Sequence, residues 1–313
     1  MTQKRAGRNR TLTLEPEEIP RLRERLLTPE KLAAGESVIN RILYADLFCV
    51  LDRIPGKFAD LVLADPPYNL NKNFGGERFS AMPPAAYEEW LSSWLPRVCS
   101  KLKPDGSLYL CCDWRCSAAA QRVLEKEMHI LNRITWQREK GRGAGKNWKN
   151  AMEDIWFAVR DPRRYYFNVD AVMLKRRVRA PYRADGKPKD WTQEADGKFR
   201  CTRPSNFWDD ISVPFWSMPE NTDHPAQKPE KLYARLILAS CPENGVVFDP
   251  FLGSGTAAAA AKKLGRRWCG VERVEEYCLL AEKRLLLAET NRRIQGYADG
   301  VFWERNSLPP REP

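Results

Sequence analysis

The chain has 313 residues, 43% of them hydrophobic, and carries a formal charge of +11 at pH 7. This length suffices for one large core or two modest ones, and without eighteen consecutive apolar residues no membrane-spanning helix is expected. Nine irregularly spaced cysteines argue against a disulfide framework, and two histidines without a matching cysteine quartet argue against a structural metal site. We therefore expect a cytoplasmic protein, in a reducing compartment, that needs no metal.

The positive charge is concentrated in two segments. Arg138 to Lys149 holds five basic residues and one acidic residue, a net +4, and Lys175 to Arg203 holds ten basic and four acidic residues, a net +6. Charge runs usually form a solvated face, but this confinement favours contact with a polyanion. Aromatic residues lie among the charges, and we expect them to stack on or wedge between bases: Trp148, Tyr182, Trp191 and Phe199. The residues expected at this interface are Arg142, Lys146, Trp148, Lys149, Lys175, Arg176, Arg177, Arg179 and Arg183.

The first 36 residues predict a basic tail and a helical arm with leucines along one side. Residues 38–44 then predict a strand, and residues 47–54 a short helix. Asp46 lies in the turn between them. It is expected either to cap the helix or to face a ligand at the edge of the sheet.

The stretch from Leu61 to Leu70 gives the clearest indication of chemistry. Its four apolar residues predict a strand buried on both faces, and two consecutive prolines end the hydrogen-bonded ladder stiffly. Asp65, Pro66, Pro67 and Tyr68 would then lie at the carboxyl edge of a sheet, where open α/β folds bind ligands. Asp65 and the Pro66 carbonyl could accept both protons of an amino group while Tyr68 stacks on its ring, which exposes the nitrogen lone pair. The alternative is an ordinary exit from a strand.

The middle of the chain alternates between helical and strand patterns. Residues 87–102 and 115–126 predict helices, and residues 107–112 and 130–137 predict strands. This recurrence predicts a doubly wound, mostly parallel sheet. Residues 154–160 predict a strand that pairs with residues 130–137 as an antiparallel edge hairpin.

Three loops or insertions interrupt this pattern. Residues 71–84 form a polar loop that could close over a bound base or its phosphates. Residues 141–149 contain three glycines but lack the ending of a phosphate-binding loop, which disfavours a nucleoside triphosphate site. The stretch 170–203 has no clear period and is expected beside the sheet.

A second strand, turn and helix lies near the C-terminus. Residues 245–249 predict a buried strand, Gly253 and Gly255 allow a close approach to a ligand, and the following helix offers free N–H groups. Glu272 ends the next predicted strand, where an acid can accept both hydroxyls of a ribose. The turn is not the GxGxxG of a pyrophosphate site, which disfavours NAD and favours S-adenosyl-L-methionine.

With these motifs, the chain resembles the beta class of amino-group DNA methyltransferases, in which the catalytic half precedes the cofactor half. The resemblance runs from residue 42 to residue 284. It rests on motifs in this order: Ala45-Asp46, Asp65-Pro-Pro-Tyr68, His224-Pro-Ala-Gln-Lys-Pro229 and Asp249-Pro-Phe-Leu-Gly-Ser-Gly255, followed by Glu272.

The resemblance implies a fold and a division of the chain. The fold is a doubly wound, mostly parallel, seven-stranded Rossmann-like sheet with an antiparallel edge hairpin and a small target-recognition insertion. The division is an arm over residues 1–36, a catalytic half over 37–169, the insertion over 170–205, a cofactor half over 206–290 and a tail over 291–313.

The resemblance also implies an activity. A base is flipped out of double-stranded DNA and methylated on its amino group by S-adenosyl-L-methionine, leaving S-adenosyl-L-homocysteine. Adenine N6 is expected because Asp65 begins the motif that cytosine-N4 enzymes more often begin with Ser. Its catalytic residues are Asp65, Pro66, Pro67 and Tyr68. Its cofactor-binding residues are Asp46, His224, Lys228, Asp249, Phe251, Gly253, Ser254, Gly255, Thr256 and Glu272.

Other functions stay open on the sequence. A cytosine-N4 enzyme, an RNA base methyltransferase and a non-catalytic DNA-binding relative are the alternatives. The enzyme is expected to be either the modification enzyme of a restriction-modification system, with a cognate restriction endonuclease as partner, or an orphan. A second copy of the chain could be a further partner.

Overall fold

The computed structural model describes residues 7–138 and 145–304. Its α-helices are α1 (Ile19–Glu24), α2 (Pro29–Ala33), α3 (Leu47–Val50), α4 (Pro84–Cys99), α5 (Trp114–Glu127), α6 (Glu230–Ser240), α7 (Thr256–Lys263) and α8 (Glu275–Thr290). Its strands up to residue 159 are β1 (Arg41–Tyr44), β2 (Ala59–Ala64), β3 (Lys72–Phe74), β4 (Glu77–Phe79), β5 (Leu102–Cys112), β6 (His129–Gln137) and β7 (Met152–Val159). The later strands are β8 (Leu174–Arg177), β9 (Arg183–Ala184), β10 (Lys187–Pro188), β11 (Thr192–Glu194), β12 (Gly197–Thr202), β13 (Phe207–Trp208), β14 (Val246–Asp249), β15 (Arg267–Glu272), β16 (Tyr297–Ala298) and β17 (Val301–Trp303).

The main sheet has eight strands in the order β1-β15-β14-β2-β5-β7-β6-β13. The first five run parallel, β7 runs antiparallel to both of its neighbours, and β13 lies parallel to β6. The predicted α/β class, with a mostly parallel sheet and an antiparallel pair, is confirmed. The prediction of seven strands misses β13, because two residues are too short a run to show a period.

Helices cover both faces of this sheet. One buried cluster joins α3, α4 and α5 to the sheet, and a second joins α1, α6, α7 and α8 to its opposite face. Strand β2 shows why both faces are apolar, since Val62 and Ala64 belong to the first cluster and Leu61 and Leu63 to the second. The predicted burial of this strand on both faces is confirmed. Within the described ranges, no helix combines the length and the apolar character needed to cross a bilayer.

A second sheet of five strands, in the order β11-β12-β8-β17-β16, is formed by the insertion and the C-terminal strands. Strand β17, which lies within the tail predicted over residues 291–313, pairs in parallel with β8. The structure differs from prediction at two aromatic residues expected to contact bases. Trp191 and Phe199 are buried, and Lys175 and Arg177 lie over the Phe199 ring, so these rings form the core of the insertion.

A buried ion cluster connects the two sheets. Arg235 of α6 donates to both carboxylate oxygens of Asp210, at 3.0 and 2.7 Å, and stacks between Trp208 and Phe302. Lys231 pairs with the same carboxylate at 2.8 Å and donates to the Trp303 carbonyl at 2.6 Å. Burial alone raises the pKa of Asp210, but the two cations outweigh it and hold that pKa at about 2.

Replacement of Asp210 by asparagine is expected to lower the free energy of unfolding by about 3 kcal/mol at pH 7, because two buried cations lose their counter-ion. The native pKa lies below its usual value of 3.8, so the stabilisation is present above that pH and disappears as the pH falls toward 2. Urea denaturation at pH 7 and pH 3 measures both effects. Asp209→Asn, at the exposed neighbouring position, is the matched control. An equal loss for the two variants would contradict the assignment.

Candidate active site

A cavity of about 490 Å³ opens at the carboxyl edge of the parallel strands. Four strands end there in an acid or are followed at once by one, namely β2, β5, β14 and β15, and Asp46 follows β1 after one intervening residue. The predicted residues that line this cavity are Asp46, Asp65, Pro66, Pro67, Tyr68, His224, Lys228, Asp249, Phe251, Gly253, Ser254, Thr256 and Glu272. The acid-proline-proline-aromatic stretch and the glycine turn, far apart in sequence, therefore face one space.

The segment from Asp65 to Tyr68 is fixed from behind. Two prolines end β2, and the Tyr87 hydroxyl donates to the Pro67 carbonyl at 3.0 Å. Asn69 exchanges two hydrogen bonds with the backbone of Met82, at 2.7 and 2.8 Å. The Pro66 carbonyl accepts no hydrogen bond from the described part of the chain, so it remains available to a ligand.

Asp65 is bonded through both of its carboxylate oxygens. Lys228 donates to Oδ2 at 2.5 Å and the Tyr68 hydroxyl to Oδ1 at 3.0 Å. Burial raises the pKa of Asp65, and Lys228 offsets this only in part. For Lys228, burial alone lowers the pKa, but Asp65 and Glu153 outweigh it, so the pKa is raised and the ammonium stays charged. The structure thus places Lys228, predicted among the cofactor-binding residues, against the carboxylate of Asp65.

Glu153 is a site residue that the sequence reasoning missed. It is the second residue of β7, and its Oε2 lies 2.9 Å from the Tyr68 hydroxyl and 3.4 Å from Lys228 Nζ. Its Oε1 pairs with Arg138 at 2.8 Å. Because β7 runs antiparallel, its beginning lies at the edge where the parallel strands end. An acid immediately before the predicted antiparallel strand of residues 154–160 was the signal available.

The glycine turn has the shape of a cradle. Gly253 has φ +52°, and a Cβ there would lie 2.9 Å from His224 Nε2. Its N–H donates to Glu272 at 2.9 Å, and Glu272 also accepts from the N–H groups of Arg273 and Val274. Burial raises the pKa of Glu272, although these backbone donors oppose the shift.

His224 lies over this turn as a neutral imidazole. Burial lowers its pKa to about 3, and its ring packs edge-on against Tyr277 with centroids 4.5 Å apart. The Ser254 hydroxyl is buried and has no hydrogen-bond partner within the residues described. A buried donor without a partner is uncommon in proteins and points to a ligand group at this position.

The start of α7 is attached to the neighbouring elements. Arg284 donates to the Ser254 carbonyl and to the Thr256 hydroxyl, which in turn donates to the Lys228 carbonyl at 3.1 Å. Gly255 does not line the cavity. It has φ +82°, and a Cβ there would lie 2.5 Å from Ala281 Cβ of α8.

Two of the predicted acids have local structural partners as well as a place in the cavity. Asp46 caps α3 by accepting from the Phe48 N–H at 2.8 Å. Asp249 accepts from the Phe251 N–H at 3.0 Å, and its burial raises its pKa well above the usual value. Phe251 itself packs edge-on against Trp94, with centroids 4.8 Å apart.

The loop expected to cover a bound base forms the hairpin β3–β4. Lys72 donates to the Pro225 carbonyl at 3.1 Å, and Phe74 faces His224 with centroids 6.1 Å apart. Both Lys72 and Phe74 line the cavity. The hairpin therefore connects the segment after Tyr68 to the segment of His224 along the cavity.

The predicted DNA-binding residues have different surroundings. Lys146, Trp148 and Lys149 are exposed, Trp148 to 93%, and they follow Arg138 and precede Asn150, which line the cavity. Among the predicted DNA-binding residues of the insertion, the exposed ones are Arg177, Arg179 and Arg183. Arg176 is half-buried, and Lys175 is held in an ion pair with Glu194 at 2.7 Å. Arg142 lies outside the described residues.

Comparison with known proteins gives a family match. A family model described as a DNA methylase matches residues 59–283. DNA adenine methyltransferase YhdJ of Escherichia coli K12 is 33% identical over 283 residues, covering 87% of this chain and 93% of its own length. The type II methyltransferase M.HpaI of Haemophilus parainfluenzae is 30% identical over 248 residues, covering 79% of this chain and 74% of its own length.

Solved structures share the fold. A putative DNA modification methylase from Thermus thermophilus, solved with S-adenosyl-L-methionine, is 21% identical with a TM-score of 0.55, covering 86% of this chain and 100% of that one. The cytosine-N4-specific PvuII DNA methyltransferase is 18% identical with a TM-score of 0.54, covering 86% of this chain and 95% of that one.

Proposed function

The chain belongs to the N6/N4 amino-group DNA methyltransferases, which use S-adenosyl-L-methionine, and we propose that it methylates N6 of adenine in double-stranded DNA. The observation that supports this proposal most is the shared cavity. The Asp65 carboxylate and the cradle formed by Gly253 and Glu272 line the same space, as methyl transfer between a base and a cofactor requires.

Adenine is favoured over cytosine by two features. Asp65 begins the motif that resembles the catalytic stretch of adenine-N6 enzymes, and the relative that is 33% identical is named a DNA adenine methyltransferase. We further propose that the protein is a bacterial modification enzyme of the cytoplasm, acting with a restriction endonuclease. Relatives named type II methyltransferases support this role.

The residues of the glycine turn fit S-adenosyl-L-methionine. We propose that Glu272, which lines the cavity, accepts from ribose hydroxyls. The side-chain-free Gly253 leaves space beneath His224, and the Ser254 hydroxyl lacks a partner within the described residues. When bound, this cofactor supplies an electrophilic methyl group on a sulfonium. His224 is neutral, so it would add no positive charge to a site that holds this cation.

We propose that the catalytic residues act on the target amine. Asp65 and the Pro66 carbonyl accept its two N–H bonds, and Tyr68 stacks on the base. These acceptors reduce the conjugation of the nitrogen with the ring, so its lone pair becomes available for in-line attack. Lys228 favours the ionised form of Asp65 and holds its carboxylate in place.

The test is transfer of tritiated methyl from S-adenosyl-L-methionine to unmethylated duplex DNA, followed by digestion to nucleosides. N6-methyladenine is the expected product, and N4-methylcytosine would overturn the choice of base. Structured RNA is assayed in parallel, and preferential labelling of RNA would overturn the choice of nucleic acid. No transfer to either polymer would favour a non-catalytic relative.

Removing charge from the insertion is expected to weaken DNA binding. In Arg177→Ala/Arg179→Ala, the slope of log affinity against log salt should fall by about 2, because two phosphate contacts are lost. Fluorescence anisotropy at several salt concentrations measures this slope. Arg122→Ala/Lys126→Ala removes two exposed charges from α5, outside the basic segments, and should leave it unchanged. An unaltered slope in the first variant would show that these arginines do not contact phosphate.

A further inference from the structure

Three oxygen atoms lie in succession within hydrogen-bond distance, from the catalytic carboxylate to a second carboxylate. Asp65 Oδ1 lies 3.0 Å from the Tyr68 hydroxyl, and that hydroxyl lies 2.9 Å from Glu153 Oε2. We propose that Glu153 receives, through the Tyr68 hydroxyl, the proton that the target nitrogen loses during methyl transfer. This inference rests on the proposed function.

The reaction requires a proton to leave. The nitrogen lone pair forms the bond to the methyl carbon while the carbon–sulfur bond breaks, and its electron pair remains on sulfur as a neutral thioether. The methylated nitrogen then carries a positive charge and one proton too many. Asp65 takes that proton because it is the acceptor already bonded to the amine.

Asp65 can return to its ionised form only if the proton moves on. Its two hydrogen-bond partners among the described residues are Lys228 and Tyr68. Lys228 is a charged ammonium without a lone pair, so it accepts no proton. The Tyr68 hydroxyl both accepts and donates, and it can take the proton from Asp65 while passing its own to Glu153.

The two protons move together in this step. Burial raises the pKa of Tyr68 well above the usual value, so a free phenolate is disfavoured, and the hydroxyl is neutral before and after. One proton moves from Asp65 Oδ1 to the tyrosine oxygen, and a second proton moves from that oxygen to Glu153 Oε2. Asp65 becomes a carboxylate again and Glu153 becomes a carboxylic acid.

Glu153 is placed to receive a proton rather than only to support the sheet. Its carboxylate lines the cavity, and its side chain is 5% exposed. Its other oxygen pairs with Arg138, whose side chain is 31% exposed and also lines the cavity. The path therefore leads from the reacting nitrogen toward Arg138, the partly exposed end of the cluster. The next acid on the strand, Asp154, faces Thr135 and Arg133 and does not line the cavity.

Steady-state methyl transfer on saturating DNA and cofactor, measured across pH in H₂O and D₂O, tests the path, because each new turnover requires Asp65 to be ionised again. Glu153→Gln keeps an acceptor for Arg138 but takes up no proton, so its rate should fall roughly 10²-fold. The rate should also become dependent on buffer base, because the proton must then leave to solvent. Glu153→Asp, which restores a carboxylate, should recover part of the rate.

Two further variants separate proton transfer from structure. Tyr68→Phe keeps the ring for stacking and removes the relay hydroxyl, so it should show the same buffer dependence as Glu153→Gln. Asp154→Asn makes the same change of charge at the next position on β7 and should keep the wild-type rate and pH profile. When the deuterium fraction of the solvent is varied, the wild-type rate should follow the curve expected for two protons that move together. The rate of Tyr68→Phe should not follow that curve.

The outcomes are distinguishable. Wild-type rates and pH profiles in both Glu153→Gln and Tyr68→Phe would overturn the path while leaving the proposed function intact. A weaker affinity for DNA or cofactor in Glu153→Gln, with the wild-type pH profile, would also overturn it, because Glu153 would then only position its neighbours. No methyl transfer by the wild-type protein would instead contradict the proposed function.

Discussion

Asp65→Asn is expected to lower the rate of methyl transfer roughly 10³-fold and to leave cofactor affinity within about twofold of wild type. The amide places an N–H₂ group where a second acceptor oxygen is needed, and it cannot take up the proton of the amine. The residues of the glycine turn do not depend on this side chain. The described partners of Asp65 are Lys228 and Tyr68, neither of which belongs to that turn.

Cofactor binding by calorimetry and single-turnover transfer to DNA, measured on the same preparation, check this expectation. Asp52→Asn, an exposed acid outside the cavity lining, serves as the control for a lost charge. If Asp65→Asn lost cofactor binding together with activity, the division of the cavity into an amine end and a cofactor end would be wrong. A rate close to wild type would show that Asp65 is not the amine acceptor.

Gly255→Ala is expected to cost about 3 kcal/mol of stability and to weaken cofactor binding by about tenfold or more. The added Cβ would lie 2.5 Å from Ala281 Cβ and 2.9 Å from Ala281 Cα, so α7 and α8 must separate. The start of α7 also positions Ser254 and Thr256, which line the cavity. Any shift of this helix therefore changes the cofactor end.

Gly265→Ala is the matched control for that substitution. Gly265 also has a left-handed backbone, with φ +72°, but a Cβ there would meet no atom within 4 Å. Gly265→Ala should lower the free energy of unfolding only by the backbone strain, about 1 kcal/mol, and leave cofactor binding unchanged. Urea denaturation and calorimetry compare the two variants. Equal losses would show that the contact with α8 is not tight.

The site was predictable from sequence where its signals are local. Each of two signals lies within about ten residues. One is a buried strand followed by Asp65-Pro66-Pro67, and the other is a strand that leads into Gly253 and Gly255. The parallel sheet then brings the two strand ends to one edge, because consecutive β/α units place all carboxyl ends on the same side. The order of the motifs was therefore enough to predict one cavity.

Other features depend on pairing between distant residues. Nothing near Lys228 in sequence indicates that its ammonium reaches Asp65, or that Glu153 completes the cluster. The burial of Trp191 and Phe199 also depends on distant partners, since Trp303 packs edge-on against Phe199 from the C-terminal strand. A charged, glycine-rich segment without hydrophobic periodicity does not indicate which of its aromatic residues will be buried.

The parallel pairing of β17 with β8 has a consequence for exchanging the insertion between related enzymes. Phe302 and Trp303 lie opposite Leu174 and Lys175, and Lys231 of the main body holds the Trp303 carbonyl. A chimera that transplants residues 170–205 alone would leave the recipient's last strand against a foreign neighbour. The transferable unit consists of two pieces of chain, and the short second piece, residues 297–303, must come from the same donor.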